Sequence, residues 1–264
     1  MGEIVEEIVK DAGGVITEVY KDGLSQSVKP IGTMLSYLPR TVRLALAKWE
    51  KWIVNGEESL RLTGEALKDK VDKIPDEKLC EPEPYVAVPA IQQISYCYDS
   101  ADLREMYANL LASSMNIDKK WTVHPSFVDI IKQITPDEAK LLNIFPKDSF
   151  SSVPLVDVKI VFSKMNDFIT YAKNILPDKY YDICDNPDNM RAYINNLERL
   201  KIIHIPAWVS IVDNDFYSDI EKSERIKKIK EQVVLSDEQH YELVKRLFCM
   251  TDFGIAFVKC CIEG

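Results

Sequence analysis

The stretch HPSFVDIIKQITPDEAKLL, His124 to Leu142, decides the fold class. His124-Pro125 opens a helix with proline at its first position, where a missing N–H removes no bond. Phe127, Ile130, Ile131 and Ile134 fall on its inner side. Thr135-Pro136-Asp137-Glu138 then reads as a capping box, in which the Thr135 hydroxyl accepts one orphan N–H and the Glu138 carboxylate another. The helix that follows carries Leu141, Leu142 and Phe145 and stops at Pro146. Two helices so closely spaced, each with its own start signal, predict a helical body.

Reading outward from there, LREMYANLLASSM (Leu103–Met115) is a helix that Asp99 or Ser100 can cap, with Leu103, Tyr107, Leu110, Leu111 and Ser114 on one face. Arg104, Glu105 and Asn109 are expected at exposed positions, and Glu105 and Asn109 are spaced to hydrogen-bond along the helix or meet a partner. Upstream, a helix is expected from Pro89 to Tyr98. Downstream, Val153 to Phe162 is β-branched and reads as one strand, whereas Met165, Phe168, Ile169, Ala172 and Ile175 resume helical spacing. Met190 to Lys201 is helical and leads into the strand Ile202–Ile205. A charged insert, Asp213 to Lys230, precedes Tyr241–Met250, read as a strand because it runs into Thr251-Asp252-Phe253-Gly254. A helix feeding two strands with a long loop outlines a winged helix.

The run LREMYANLLASSM, the run His124–Leu142 and the run MTDFGIAFVKCC (Met250–Cys261) together closely resemble the abortive-infection alpha family, a bacterial domain associated with phage resistance. EPEPYVAVPAIQQISY (Glu81–Tyr96) is similar to the family's entry segment. The likeness spans roughly residues 75 to 262, and its motif positions here are Leu103, Tyr107, Asn109, Leu110, Leu111, His124, Pro125, Phe127, Pro136, Gly254 and Phe257. The resemblance implies a bacterial, cytoplasmic, defence-associated protein and supplies no catalytic residues.

The chain of 264 residues holds 33 basic and 42 acidic side chains, a net charge of −9 that argues against an autonomous binder of bare nucleic acid. No apolar run is long enough for a membrane-spanning helix. Glu3, Glu6 and Glu7 give the first residues the wrong sign for a secretory leader, so the expected compartment is the cytoplasm, with an option of the inner membrane face. Six scattered cysteines, with Cys260 beside Cys261 and no C-x-x-C pair, read as reduced thiols rather than zinc ligands.

Charge is not spread evenly. Between Lys29 and Ile53 five basic residues face one acid, Glu50, which makes this segment +4. In TVRLALAKWEKWIV, after Pro39, Val42, Ala45, Leu46, Trp49, Trp52 and Ile53 lie within an arc of roughly 120° at helical pitch. Arg40, Arg43, Lys48 and Lys51 lie opposite. The helix packs on the core with a solvated basic face, lies on an anionic membrane surface with its tryptophans at headgroup depth, or fills a groove on a partner protein.

Domain boundaries follow composition: a helical amphipathic region over 1–74, a proline- and charge-rich linker over 75–84, a helical core over 85–150 and a winged-helix-like α+β part over 151–264. The fold class is therefore mainly α, a helical bundle core with a small α+β end.

Motifs for chemistry are sparse. His124 reads as a helix cap, and neither His204, in an apolar strand, nor His240, in a polar segment, has a sequence-near Cys or Ser arrangement that suggests a triad. Asp213, Asp215, Asp219 and Glu224 overlap part of a calcium loop, but Tyr217 stands at a ligand position and Ser218 where glycine is needed. Asp182, Asp185 and Asp188 suit turns around Pro187. No phosphate loop, nucleophile elbow or H-E-x-x-H is present, so no catalytic residue, metal or cofactor is expected. The preferred expectation is a non-enzymatic phage-defence effector or regulator with a protein partner and an anionic membrane surface as a second contact. A winged-helix nucleic-acid regulator, read through Arg191, Arg199 and Lys201, is the alternative; a hydrolase built from scattered acids such as Glu105 and Asp137 is the third.

Overall fold

The computed structural model describes residues 56, 58–148, 150–164, 167–213 and 215–264, which fall into two compact units, one closing at Ile131 and including Gly264, the other Lys132–Glu263. The amphipathic stretch with Trp49 and Trp52 lies outside the described residues.

The first unit is helical. Helix α1 covers 58–71 and buries Ser59, Thr63, Leu67 and Val71, one residue every four. The two hydroxyls on that stripe are satisfied: Ser59 Oγ donates to the Ile94 carbonyl at 2.6 Å and Thr63 Oγ1 to Ser59 at 2.8 Å. The chain leaves the helix before Pro75, as the proline requires. It then makes a 3-10 turn, Asp76–Lys78, and a bridge between Leu79 and Asn116.

Helix α2, Pro84–Ile94, begins earlier than the expected start at Pro89, because Pro84 takes the first helical position. Pro89 lies inside it, early enough to forfeit a single backbone bond. Ser100 caps α3, Ala101–Ser114, accepting the Leu103 N–H at 3.2 Å. Every residue of α3 from Met106 to Ser114 is buried, so this helix is enclosed on all sides rather than amphipathic. Asn109, expected on the surface, is therefore 3% exposed. Glu105 does not bond along the helix but pairs with Lys70. Helix α4, Ser126–Gln133, starts one residue after Pro125.

The second unit begins with α5, Pro136–Ile144, whose capping box is formed in full: Thr135 Oγ1 accepts from Glu138 N at 3.2 Å and Glu138 Oε2 from Thr135 N at 2.6 Å. Strand β1, Ser152–Phe162, is followed by β2, Asp167–Ile175, and not by a helix. The 3–4 spacing there is coincidental: β2 is an edge strand exposed along most of its length, so nothing forces its apolar residues to alternate. After a short helix α6, Asp178–Tyr181, come α7, Met190–Arg199, and β3, Ile203–His204.

The charged insert is folded. Helices α8, Asp215–Glu221, and α9, Glu224–Gln232, bury Tyr217, Ile220 and Ile226 against Val156, Val158 and Ile175 of the sheet. Strand β4, Gln239–Met250, and helix α10, Asp252–Cys261, complete the unit. The sheet is antiparallel in the order β2-β1-β4-β3. The expected pairing of the strands after α7 exists, but as two residue pairs, Ile203 with Met250 and His204 with Cys249. The main partner of β4 is β1, over Ser152–Phe162. The winged-helix outline is thus absorbed into a four-stranded sheet.

Candidate functional site

Most motif residues turn out to build the two units. Tyr107, Leu110, Leu111, Phe127 and Phe257 are buried, and Leu103 is half-buried. Tyr107 donates its hydroxyl to the Val128 carbonyl at 3.3 Å. His124 is exposed and its Nδ1 accepts the Ser126 N–H at 3.1 Å, a cap at the entry to α4 beside Pro125. Pro136 holds the first turn of α5. Gly254 sits in the first turn of α10, where a Cβ would stand 2.0 Å from the carbonyl oxygen of Ile202. Arg40, Arg43, Lys48, Trp49, Lys51 and Trp52 lie outside the described residues.

The acids beside that motif are occupied structurally. Asp137 accepts from the backbone N–H groups of Asp185 and Asn186, both at 2.8 Å, and from the Tyr193 hydroxyl at 2.9 Å. Burial pushes its carboxyl up, but those bonds and nearby Lys140 outweigh burial, and the net shift is down. Glu138 Oε1 accepts Asn196 Nδ2 at 2.8 Å, and there burial wins and holds the carboxyl above its ordinary value. Asp157 is bound to the Asn174 N–H at 2.7 Å and to Arg246 at 3.1 Å.

Six cysteines are free thiols. Burial raises Cys97 and Cys184 to about 11 and lifts Cys261 well above the ordinary value, so these three stay protonated at neutral pH. Among the described residues, no group of three or more His, Cys, Asp or Glu is placed to hold a metal ion. No described helix is long and apolar enough to cross a membrane.

What stands out instead is a surface. The loop between β3 and α8 is anchored at buried Ile205 and at Ile211, whose N–H donates to Tyr217 Oη at 3.0 Å and whose side chain packs on the insert core. Between and beyond these anchors Trp208 is 98% exposed, with Val209 and Val212 also exposed. Trp208 has φ +62°, a left-handed backbone that a bulky side chain adopts only when its surroundings impose it. The first unit has its own exposed tryptophan, Trp121, with the Lys120 ammonium 5.4 Å from its ring. Sequence reasoning missed both. No period or fixed spacing in the stretch after Pro206 marks Trp208.

The family described as abortive infection alpha matches residues 55–261. The chain belongs to the abortive infection alpha family. Membership connects it to abortive infection and phage defence, and the match begins upstream of residue 75, where the resemblance in the sequence starts. No curated protein matches the chain. A solved structure of an uncharacterized protein from the hydrocarbon-degrading marine bacterium Alcanivorax borkumensis SK2 aligns over 55% of this chain and 94% of its own, with 13% identity and a TM-score of 0.32, too low to support a fold assignment.

Proposed function

We infer that this member of the abortive infection alpha family is a non-enzymatic effector or regulator of phage defence that acts in the bacterial cytoplasm by contact with a partner protein. The observation that carries this reading is Trp208, nearly fully exposed at the tip of an anchored loop with Val209 and Val212 beside it. Exposed clustered apolar side chains mark interaction sites, and tryptophan is the residue most enriched at binding hot spots. The structural engagement of Asp137, Glu138 and Asp157 supports contact rather than catalysis as the working principle. The +4 leader with Trp49 and Trp52 adds a second contact, with the anionic inner membrane face.

The nucleic-acid reading through a winged-helix-like α7 has less behind it. Arg199 is tied to Asn196 at 2.7 Å and to Gln133 at 3.0 Å, which leaves few cations on that helix for phosphates.

The test is phage plaquing on bacteria expressing the full chain. Wild type lowers plaquing, and Trp208→Ser loses most of that protection with unchanged thermal unfolding. Full protection by Trp208→Ser sinks the contact surface. Wild type also co-sediments with anionic vesicles and the double change Trp49→Ser, Trp52→Ser abolishes it; binding that survives the change removes the membrane contact.

A further inference from the structure

Strand β4 is paired along its length on one flank and almost nowhere on the other. With β1 it runs in unbroken register from Ser152 opposite Cys249 to Phe162 opposite Gln239. In an antiparallel ladder, alternate residues of a strand turn their N–H and C=O groups to opposite sides. Ser163 N donates to Glu238 O at 2.9 Å, so the even-numbered residues of β4 face β1. The odd-numbered ones face away, and on that side Thr251 N donates to Ile202 O at 3.0 Å beside the short pairing with β3. At the far end Gln239 N is taken by its own turn, donating to Ser236 O at 3.0 Å. Between these two closures, among the described residues, no backbone group bonds the outward N–H and C=O groups of Tyr241, Leu243 or Leu247.

Such a flank templates pairing with an added strand, and natural sheets usually shorten, cover or blunt it. Its length selects the occupant. Residues 241–247 make roughly 20 Å of strand. That slot suits a short extended segment and not the whole β4 of a second copy, Gln239–Met250, with its own β3 attached. Its position selects the source. The chain leaves this flank after His204 and enters the loop that presents Trp208, and Ile211 of that loop packs on the same core as Tyr241 and Leu243. The flank therefore borders the surface already read as the partner contact.

We propose that residues 241–247 of β4 receive an extended segment of the partner protein as an added antiparallel strand, in line with β3. This rests on the partner-protein reading and states the form of the partner. Main-chain bonds hold such a segment, and its alternate side chains select it. Those that lie beside Leu243 and Leu247 are apolar, since cross-strand neighbours on one face pack together.

The test selects a random heptapeptide library on the full chain and follows amide exchange with the selected peptides bound. They slow exchange at Tyr241, Leu243 and Leu247 about tenfold or more. Glu242, Val244 and Arg246, already paired with β1, are unchanged. Leu243→Pro breaks no sheet bond, because that N–H faces outward, and it weakens the selected peptides about tenfold or more. Methylating alternate peptide amides does the same to the wild-type complex. The proposal is overturned by a library that yields no binder, by slowing that ignores the odd–even alternation, or by binders indifferent to Leu243→Pro. It is equally overturned if wild type alone, on concentration, dimerises and protects the same odd-numbered amides, which makes a second copy the occupant. Unchanged plaquing by Trp208→Ser removes the Trp208 contact and leaves these exchange measurements to decide the flank by themselves.

Discussion

Gly254→Ala is expected to cost this protein a large share of its stability, although the change adds a single methyl group. The cause begins at the end of α7. Lys201, at φ +61°, turns the chain, while Ile202 N donates to Leu197 O and Lys201 N to Glu198 O, both at 3.0 Å. This closing motif spends the helix's terminal carbonyls and throws Ile202 into the start of β3. The Ile202 carbonyl then accepts the Thr251 N–H at 3.0 Å, and Thr251 Oγ1 caps α10 by accepting the Gly254 N–H at 2.8 Å. Strand entry and helix start are thus clamped face to face, and the clamp leaves no room for a side chain at Gly254. An alanine Cβ would sit 2.0 Å from Ile202 O and 2.8 Å from its carbonyl carbon, so backbone has to move on one side or the other. Both elements are pinned by the bonds just named, and buried Phe257 and Val258 hold α10 in place. The penalty is about 3 kcal/mol or more. In thermal unfolding of the full chain that is a fall in Tm of about 10 °C. Gly64→Ala is the matched control: nothing lies within 4 Å of its Cβ position inside α1, so alanine's helix propensity raises stability by about 1 kcal/mol. An unchanged Tm for Gly254→Ala would show that β3 and α10 are not locked together.

The same clamp shows which parts of this protein can be read before the structure is known. The capping box at Thr135 and Glu138, strand β1, and the passage from α7 into β3 follow from local rules: a cap needs a given residue at a given offset, and a half-buried strand needs β-branched residues. Strand β2 breaks the rule that would reveal it, because an exposed edge has no buried face to impose alternation on Phe168, Ile169 and Tyr171. The burial of Asn109 is equally silent, since it depends on neighbours on all sides of α3. The demand for glycine at 254 comes from Ile202, far away in sequence. Trp208 is illegible for another reason. A contact loop obeys no period and needs no partner at fixed spacing, so its residue types carry no pattern; its exposure and its left-handed backbone are visible only in three dimensions. Fold motifs were therefore readable where they are local, and the candidate surface was not, although the family resemblance rested on those same fold motifs.

Asp137→Ala is expected to be nearly as damaging as the glycine change, and its wild-type carboxylate to set an acid limit on stability. Its two oxygens satisfy the N–H groups of Asp185 and Asn186 and the Tyr193 hydroxyl, so one side chain fastens the start of α5 to the loop that leads into α7. Asp137 itself is 3% exposed. Removing it leaves three donors without their acceptor, the Tyr193 hydroxyl among them in a buried position, at about 2 kcal/mol or more. The pH dependence follows from the direction of the shift. Asp137 titrates lower in the folded protein than in the unfolded chain, so its contribution is complete above the unfolded value, about 3.9, and is lost as pH falls toward the folded value. Glu138, next to it, is shifted the other way by burial. Between its ordinary value and its raised folded value the native state holds the extra proton, so its share of stability declines as pH rises through that window. Denaturant unfolding of wild type, Asp137→Asn and Glu138→Gln over acidic to neutral pH separates the two: Asp137→Asn flattens the loss at the acid end, and Glu138→Gln flattens the opposing slope above it. If Asp137→Asn keeps the wild-type acid limb, the carboxylate does not fasten α5 to the 185–193 segment.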